Sequence, residues 1–228
     1  MGGKFRHEFK YVVSAGEIEM LKNRVNHLLL PDRHAGERGL YSVRSLYFDD
    51  YGDCCFHDNE FGTGPREKFR LRIYNHSDAR IMLECKRKDH GMTLKTSCPL
   101  TREQAELLMA GKTPSAIEHQ DQPLRKLMLL MLTRRMRPKI IVEYDRIPYV
   151  YPDGNVRVTL DTNIASSKAV ERFFDDRIPS RPVMPVGRQL LEVKYDEFLP
   201  DFVYRNLQLE NLTQTAFSKY YIARKYTL

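Results

Sequence analysis

The chain has 228 residues, 42% of them hydrophobic, which is enough to bury a real core in one domain spanning 1–228. Lysine and arginine number 37 against 30 aspartates and glutamates, giving a formal net charge of +7 and a pI near 9.2; this balance favours anionic partners such as phosphorylated metabolites, acidic headgroups or nucleic acid. No apolar run approaches the roughly 20 residues of a bilayer-crossing helix, and Met1-Gly2-Gly3-Lys4-Phe5-Arg6-His7 lacks a signal-peptide core, so any link to a membrane is expected to come from a separate subunit.

Residues 4–13 alternate as a strand, and Ser14-Ala15-Gly16-Glu17 has capping-box form ahead of a helix bearing Ile18, Leu21, Val25, Leu28 and Leu29. Tyr41 to Asp49 is rich in β-formers, and Asp50-Tyr51-Gly52-Asp53 breaks it. Strands are expected at 66–75, 80–88 and 92–100, with short polar links of hairpin type. Thr101-Arg102-Glu103-Gln104 starts a second helix. Ser115-Ala116-Ile117-Glu118 resembles a third capping box, before Leu124, Leu127, Met128, Met131 and Leu132 at helical spacing, where the methionines read as core packing.

Strands resume at 137–149 and 154–163, joined by the turn Tyr151-Pro152-Asp153-Gly154. Ser166 to Pro185 reads as an irregular excursion, Gln189 to Tyr195 as the last strand and Pro200 to Leu212 as a helix. About eight strands and about four helices, mostly in hairpin order, define an antiparallel α+β fold. Cys54, Cys55, Cys85 and Cys98 have no Cys-x-x-Cys spacing, so reduced thiols in a cytoplasmic protein are expected rather than zinc or disulfides.

Charge follows strand parity. Glu8/Lys10, Lys68/Arg70/Arg72, Glu84/Lys86/Lys88, Arg157/Asp161 and Glu192/Lys194 each occupy one face of a strand whose opposite face is apolar. Any one such segment reads as the wet side of a sheet. Their accumulation argues otherwise, because the striped helices must pack on the apolar parity, which turns the charged parity inward. Eight strands can close into a barrel that holds one small ligand, and cations on several of its walls require counter-charge. A polyphosphate supplies it: arginine forks and lysine ammonium groups suit tetrahedral oxyanions, and carboxylates in the same space suit a bridging Mg²⁺ or Mn²⁺.

No Gly-x-x-x-x-Gly-Lys-Ser/Thr loop, His-Glu-x-x-His or Gly-x-Ser-x-Gly motif occurs. Nucleic acid is the less favoured anion, since most of the 13 Tyr and 11 Phe fall at apolar strand or helix positions rather than on a basic stacking surface. Lys88, Arg66 and Lys68 are read as rim or solvent charges at frayed strand ends, and Val142 and Ile140, which continue the parity of Tyr144 and Arg146, imply a greasier tunnel end or a bulge.

An ordered set of segments resembles the VTC domain, the polyphosphate polymerase domain of the CYTH or triphosphate tunnel metalloenzyme superfamily. The segments are Phe9-Lys10-Tyr11, Ser45-Leu46-Tyr47-Phe48-Asp49, Arg70-Leu71-Arg72-Ile73-Tyr74, Leu83-Glu84-Cys85-Lys86, Tyr144-Asp145-Arg146, Arg157 to Asp161, Leu191-Glu192-Val193-Lys194-Tyr195 and Phe217-Ser218-Lys219-Tyr220. The resemblance implies an eight-stranded antiparallel β-barrel tunnel with helices on its outside. It also implies metal-dependent transfer of the ATP γ-phosphate to a growing polyphosphate chain. By position, Lys10, Arg70, Arg72, Lys86, Lys95, Arg146, Arg157 and Lys219 resemble the family's phosphate-binding cations, with Arg70, Arg72 and Lys219 closest to the chemistry. Tyr144 and Ser218 resemble its hydroxyl donors, Glu192 its metal-holding glutamate and Glu84 a second candidate, with Mn²⁺ or Mg²⁺ as the cofactor. The superfamily's first strand carries Glu-x-Glu-x-Lys, whereas this chain has Arg6-His7-Glu8-Phe9-Lys10. That weakens the alternative of a tripolyphosphatase or organic triphosphatase, and Glu8 is left to balance Lys10. A non-catalytic polyphosphate- or nucleotide-binding module is the third reading. The eukaryotic relatives' phosphate-sensing and membrane segments are not expected here, so coupling to translocation would need separate subunits.

Overall fold

The alternating first segment forms β1 (His7–Ser14), and Ser14 then turns the chain into α1 (Ala15–Asn26). Its hydroxyl accepts from the Glu17 amide at 3.2 Å while the Glu17 carboxylate accepts from the Ser14 amide at 2.6 Å, the reciprocal capping box. There follow β2 (Leu30–Pro31), β3 (Tyr41–Asp49), α2 (Cys54–Glu60), β4 (Arg66–Tyr74), β5 (Ser77–Asp89), β6 (Met92–Leu100) and α3 (Arg102–Met109). The chain continues through α4 (Gln122–Thr133), β7 (Arg137–Tyr151), β8 (Val156–Ser167), β9 (Arg181–Pro182), β10 (Arg188–Tyr195), α5 (Asp201–Asn206) and α6 (Lys219–Lys225). This computed structural model describes residues 4–114 and 121–227, so the capping box expected at Ser115 to Glu118 lies outside the described residues.

All eight long strands join one antiparallel sheet in the order β1-β10-β8-β7-β3-β4-β5-β6, with β2 added to β7 and β9 to β8. The sheet curls until its two edges meet. Arg6 and Thr93 exchange both backbone hydrogen bonds at 3.0 Å, which brings β1 against β6 and protects edges that would otherwise be open to pairing. The apolar parity faces outward into two buried clusters. Tyr11, Val13, Val158, Leu191 and Val193 pack with Ile18, Leu21 and Val25 of α1, and Phe69, Leu71 and Leu83 share a cluster with Ala105 and Leu108 of α3 and Leu127 and Met128 of α4. The four cysteines are free thiols, and no helix among the described residues is long and apolar enough to cross a membrane.

Two helices escaped sequence reading. α2 has no capping side chain at Asp53, whose φ is +52°; its free amides are met from upstream, by Asp50 (to Cys54, 2.9 Å) and by Asp49 (to Cys55, 2.9 Å, and Phe56, 3.1 Å). α6 is only seven residues long and begins at Ser218, whose hydroxyl accepts from the Tyr221 amide. Unlike α1, α3 and α4, it lies on the charged side of the sheet, packed on β7 and α2. Tyr220 donates its hydroxyl to the buried Asp49 and Arg224 pairs with Asp53 at 2.7 Å, so α2 anchors α6. Ile140 and Val142 share a buried cluster with Tyr220 and Ala223, which is the apolar end foreseen from their parity. A bulge also interrupts β7 against β8 between Glu143 and Asp145.

The stretch expected to be irregular is partly ordered: β8 runs on to Ser167 and β9 pairs with it. Arg44, 1% exposed, holds the loop between them by donating to the carbonyls of Phe173 (2.9 Å), Asp175 and Asp176 (3.2 Å), while its Nε meets Glu143. The helix expected to run to Leu212 stops at Asn206, because Gln208 adopts φ +49°. At the β7–β8 turn Gly154 has φ +73°, and a Cβ there would meet the Phe198 carbonyl oxygen at 2.5 Å, so only glycine fits.

Asp49→Ala would strand the Asp50 and Cys55 amides and the Tyr220 hydroxyl, and is expected to cost about 3 kcal/mol or more. Tyr220→Phe, which removes one bond, should cost about 1 kcal/mol. Denaturant unfolding measures both; equal midpoints for Asp49→Ala and the wild type would show that Asp49 does not anchor α2 and α6.

Candidate active site: a cation-lined cavity

Strand pairing sets the charged side chains opposite one another on the inner face. Arg70 faces Glu84 and Lys68 faces Lys86 across β4 and β5, Lys86 faces Lys95 across β5 and β6, and Lys10 faces Glu192 across β1 and β10. These strands and the segment before α6 enclose a cavity of about 290 Å³. Its walls carry ten lysines and arginines, among them Lys10, Arg70, Arg72, Lys86, Arg146 and Lys219, and two carboxylates, Glu8 and Glu192.

The counter-charges are arranged in nodes. Glu84, 2% exposed, receives Arg70 at 2.7 Å, Lys95 at 2.9 Å and Arg72 at 3.4 Å. Burial alone would raise its pKa, but Arg72, Arg70 and Lys95 outweigh burial and hold it well below the carboxylate range. Asp161 takes Arg146 through a two-bond fork, both at 2.7 Å, and Lys219 at 2.7 Å. Glu192 receives Lys219 at 2.7 Å and Lys194 at 2.8 Å, with Arg146 at 3.6 Å and Lys10 at 3.9 Å. Its pKa too is held well down: burial opposes, while Lys194, Lys219, Lys10 and Arg146 outweigh burial. Burial would strip the proton from Lys219, but Asp161 and Glu192 push its pKa up, so it stays an ammonium.

Most of the sequence-nominated residues meet here. Lys10, Arg70, Arg72, Lys86, Tyr144, Arg146, Ser218, Lys219 and Glu192 all line the cavity. Tyr144 accepts from Arg72 at 3.4 Å, and its ring lies 4.7 Å below the Lys219 ammonium. Three nominees stand outside the lining. Glu84 lies behind the arginines it anchors, Lys95 reaches that same glutamate, and Arg157 is taken by Asp32 (2.8 Å) and the Tyr41 hydroxyl (2.8 Å). Arg6 also leaves the cavity, its guanidinium 3.8 Å from Asp196, so Glu8 is the carboxylate that β1 contributes.

Lys68, read from sequence as a rim charge, instead lines the cavity and donates to Ser218 Oγ (3.0 Å) and Asn59 Oδ1 (2.5 Å). Burial, then the neighbouring charges of Arg66, Lys10 and Lys86, push its pKa down to about 7. Lys86 is likewise pushed down to about 7 by burial and by Lys10 and Lys194, with Glu8 opposing; the 27% of its side chain left open belongs to a cavity-lining residue. Tyr47 was missed: its hydroxyl receives Arg70 at 2.9 Å, and Arg70 and Arg72 outweigh burial to lower its pKa. Strand parity could have found it, because Tyr47 is paired with Arg70. Asn59 carried no such signal, since α2 was not foreseen.

Could the residues present hold a divalent cation? No cluster of three or more His, Cys, Asp or Glu side chains suited to a metal occurs among the described residues. Both oxygens of Glu84 are engaged by cations. Glu8 and Glu192 both face the cavity, and the ammonium of Lys194 lies 3.5 Å from the first and 2.8 Å from the second. Glu8 is also held well below the carboxylate range, with burial outweighed by Lys10, Lys86 and Lys194. One or two ionised carboxylates completed by phosphate oxygens is the donor set that Mg²⁺ accepts, so this pair fits such an ion shared with a bound phosphate.

A closed antiparallel sheet with its cations turned inward is the triphosphate tunnel fold of the CYTH class. Solved structures agree. The chain superposes on a putative adenylate cyclase from Bacillus halodurans with TM-score 0.56 and 16% identity, covering 96% of each chain. For a putative adenylyl cyclase from Hippeastrum, described as having a dominant triphosphatase activity, the values are 0.58 and 12%, covering 99% of this chain and 97% of that one. A Pyrococcus horikoshii protein gives 0.53 and 14%, covering 97% and 99%. Within that class the chain belongs to the VTC domain family, whose match runs over residues 5–228. No curated protein sequence matches it.

In the unfolded chain Lys68 keeps its proton up to about pH 10.5, and in the folded chain only up to about pH 7. The unfolded state therefore binds more protons between these values, and this group removes stability as pH falls from about 10.5 to about 7, with no further change below. Lys68→Met is expected to gain stability over the wild type progressively as pH drops through that window. Denaturation near pH 10 and near pH 7 tests it, and the same difference at both would overturn the assignment.

Proposed function

We propose that the chain is a metal-dependent polyphosphate polymerase that transfers the γ-phosphate of ATP to a growing polyphosphate chain. The observation that carries this reading is the charge imbalance of the cavity: ten cationic side chains meet two carboxylates in the lining and two behind it, Glu84 and Asp161. A ligand of high negative charge density offsets the remaining excess. Membership of the VTC domain family supports the same reading. Phosphoryl transfer asks mainly for positioning and charge neutralisation, and the cavity offers both.

Arg70 and Arg72 present guanidinium groups braced from behind by Glu84, Tyr47, Ser45 and Tyr144. Bracing fixes their forks before substrate arrives and lowers the ordering cost of binding. Lys219, held between Asp161 and Glu192, supplies a fixed positive charge beside the transferring group. Lys10, which donates to the Phe217 carbonyl at 2.8 Å, Lys86, Arg146 and Ser218 complete the phosphate contacts. Glu192 with Glu8 would hold Mn²⁺ or Mg²⁺, which neutralises charge on phosphoryl oxygens when bound. Lys95 and Arg157 act from outside the lining, Lys95 by neutralising Glu84 and Arg157 through Asp32. The polyphosphate product would pass to a separate membrane subunit.

Triphosphate hydrolysis in the same cavity is the second reading, favoured by the triphosphatase activity described for the Hippeastrum neighbour. The position of Arg6 outside the cavity weighs against it, because β1 then contributes a single carboxylate.

Incubation with ATP and Mn²⁺, followed by sizing of the phosphate products, is expected to show chain growth; ADP and orthophosphate alone would overturn the polymerase reading. Arg70→Ala or Arg72→Ala should weaken tripolyphosphate binding roughly 10- to 100-fold, the worth of a hydrogen bond to a charged group. Normal calorimetric affinity in both variants would dismiss the cavity as the site. Glu192→Gln should abolish metal-dependent turnover and lower stability without unfolding the chain, because Lys219 keeps Asp161 and Lys194 keeps Glu8 as partners; unchanged turnover would remove Glu192 from metal binding.

A further inference from the structure

The cations of the cavity differ in their counter-charge. Arg70 and Arg72 share Glu84, Arg146 and Lys219 share Asp161, and Lys10, Lys86 and Lys194 lean on Glu8 or Glu192. Arg66, Lys68 and Lys88 line the same cavity, yet among the described residues none of them has a carboxylate at ion-pair distance. Arg66 donates to the carbonyls of Asp58 (3.2 Å) and Thr63 (3.1 Å), and Lys68 to the neutral oxygens of Asn59 and Ser218. Among the described residues the Lys88 ammonium has neither kind of partner. The three are contiguous, since Arg66 faces Lys88 and Lys68 faces Lys86 across β4 and β5. Like charges gathered on a partly buried wall without a paired anion are unfavourable: burial, then Arg66 and Lys10, lower the pKa of both Lys88 and Lys68, and the more distant Glu8 opposes this only in part at Lys88.

Spacing separates this trio from the braced arginines. Arg66, Lys68, Arg70 and Arg72 form one row along β4, which at a rise of about 3.3 Å per residue extends roughly 20 Å from end to end. Three linked phosphoryl groups are shorter than that row, so a triphosphate seated on Arg70 and Arg72 leaves the Arg66 end of it for further groups. The uncharged nucleoside end of ATP offers nothing to three cations.

We propose that Arg66, Lys68 and Lys88 form a second anion subsite, which takes the phosphoryl groups of a polyphosphate chain beyond those held at the Glu84-braced arginines. This inference rests on the polyphosphate reading of the cavity. It makes the outer trio the determinant of chain length: short anions occupy the braced inner half, and longer chains gain the outer half as well. Asn59 and Ser218 hold the Lys68 ammonium in place without neutralising it, which keeps its charge available to the ligand.

The test is calorimetric titration of the full chain, at fixed pH and salt, with tripolyphosphate and with a long-chain polyphosphate. Lys88→Ala and Lys68→Gln are each expected to weaken the long chain by at least about tenfold, the loss of one charge-assisted contact, while tripolyphosphate affinity stays within about twofold. Lys88→Arg should restore the long-chain affinity. Equal weakening of both ligands, or weakening of neither, would overturn the subsite and leave the inner site standing. A wild-type chain that binds neither ligand would overturn the polyphosphate reading itself. Circular dichroism spectra matching the wild type establish that the fold is retained.

Discussion

Gathering cations on the inner face of a curled sheet opposes folding, and four carboxylates make it possible. Glu8, Glu84, Asp161 and Glu192 each accept at least two lysine or arginine groups. Every node ties together separate elements. Glu84 fastens β4, β5 and β6, Asp161 and Glu192 fasten β8, β10, β7 and α6, and Glu8 fastens β1, β5 and β10. The nodes hold the walls at the distance that leaves a cavity. Removing any one carboxylate would leave several buried charges unmatched, a heavier loss than a single broken ion pair.

These carboxylates divide their work. Glu84 sits behind the lining with both oxygens engaged, so it sets the aim of Arg70 and Arg72. Glu8 and Glu192 face the space itself, where their bonds to lysines can be exchanged for bonds to a ligand's counter-ions. In the proposed reaction a bound polyphosphate would become the partner of the lysines, which would leave Glu8 and Glu192 free to hold Mn²⁺ or Mg²⁺. Such an exchange keeps charge balanced at each step. Lys68 and Lys86, with pKa values near 7, can also adjust by gaining protons as the anion arrives.

Much of this was legible in the sequence because strands report their faces at period two. The charged parity of β1, β4, β5, β8 and β10 identified the inner wall, and helix stripes bearing Leu21, Leu108 and Leu127 identified the outer one. What stayed hidden depended on contacts across long sequence distances. α2 is capped from Asp49 and Asp50 instead of from its own N-cap, so no local signature announced it. α6 is short and lies inside, where Tyr220 and Lys219 serve Asp49 and Glu192 rather than a stripe. Lys68 looked peripheral near the start of its strand, yet α6 and α2 bring Ser218 and Asn59 over it. Glu84 was legible as an inward carboxylate; its engagement by three cations was not, since that depends on side-chain reach across three strands.

The order of the strands carries a consequence for how the molecule comes into being. β1 is made before the other strands and finds its neighbour in β10, with residues 7–14 waiting for residues 188–195; it also bridges Gln214 from Tyr11, and the adjoining Arg6 bridges Thr93. During synthesis the β3–β4–β5–β6 meander can form as its residues emerge, while β1 stands with Glu8 and Lys10 in water. Loop closure on that scale is slow, so sealing of the barrel is a late event. The charged parity of β1 keeps the unpaired strand soluble during that delay, when a fully apolar one would invite aggregation.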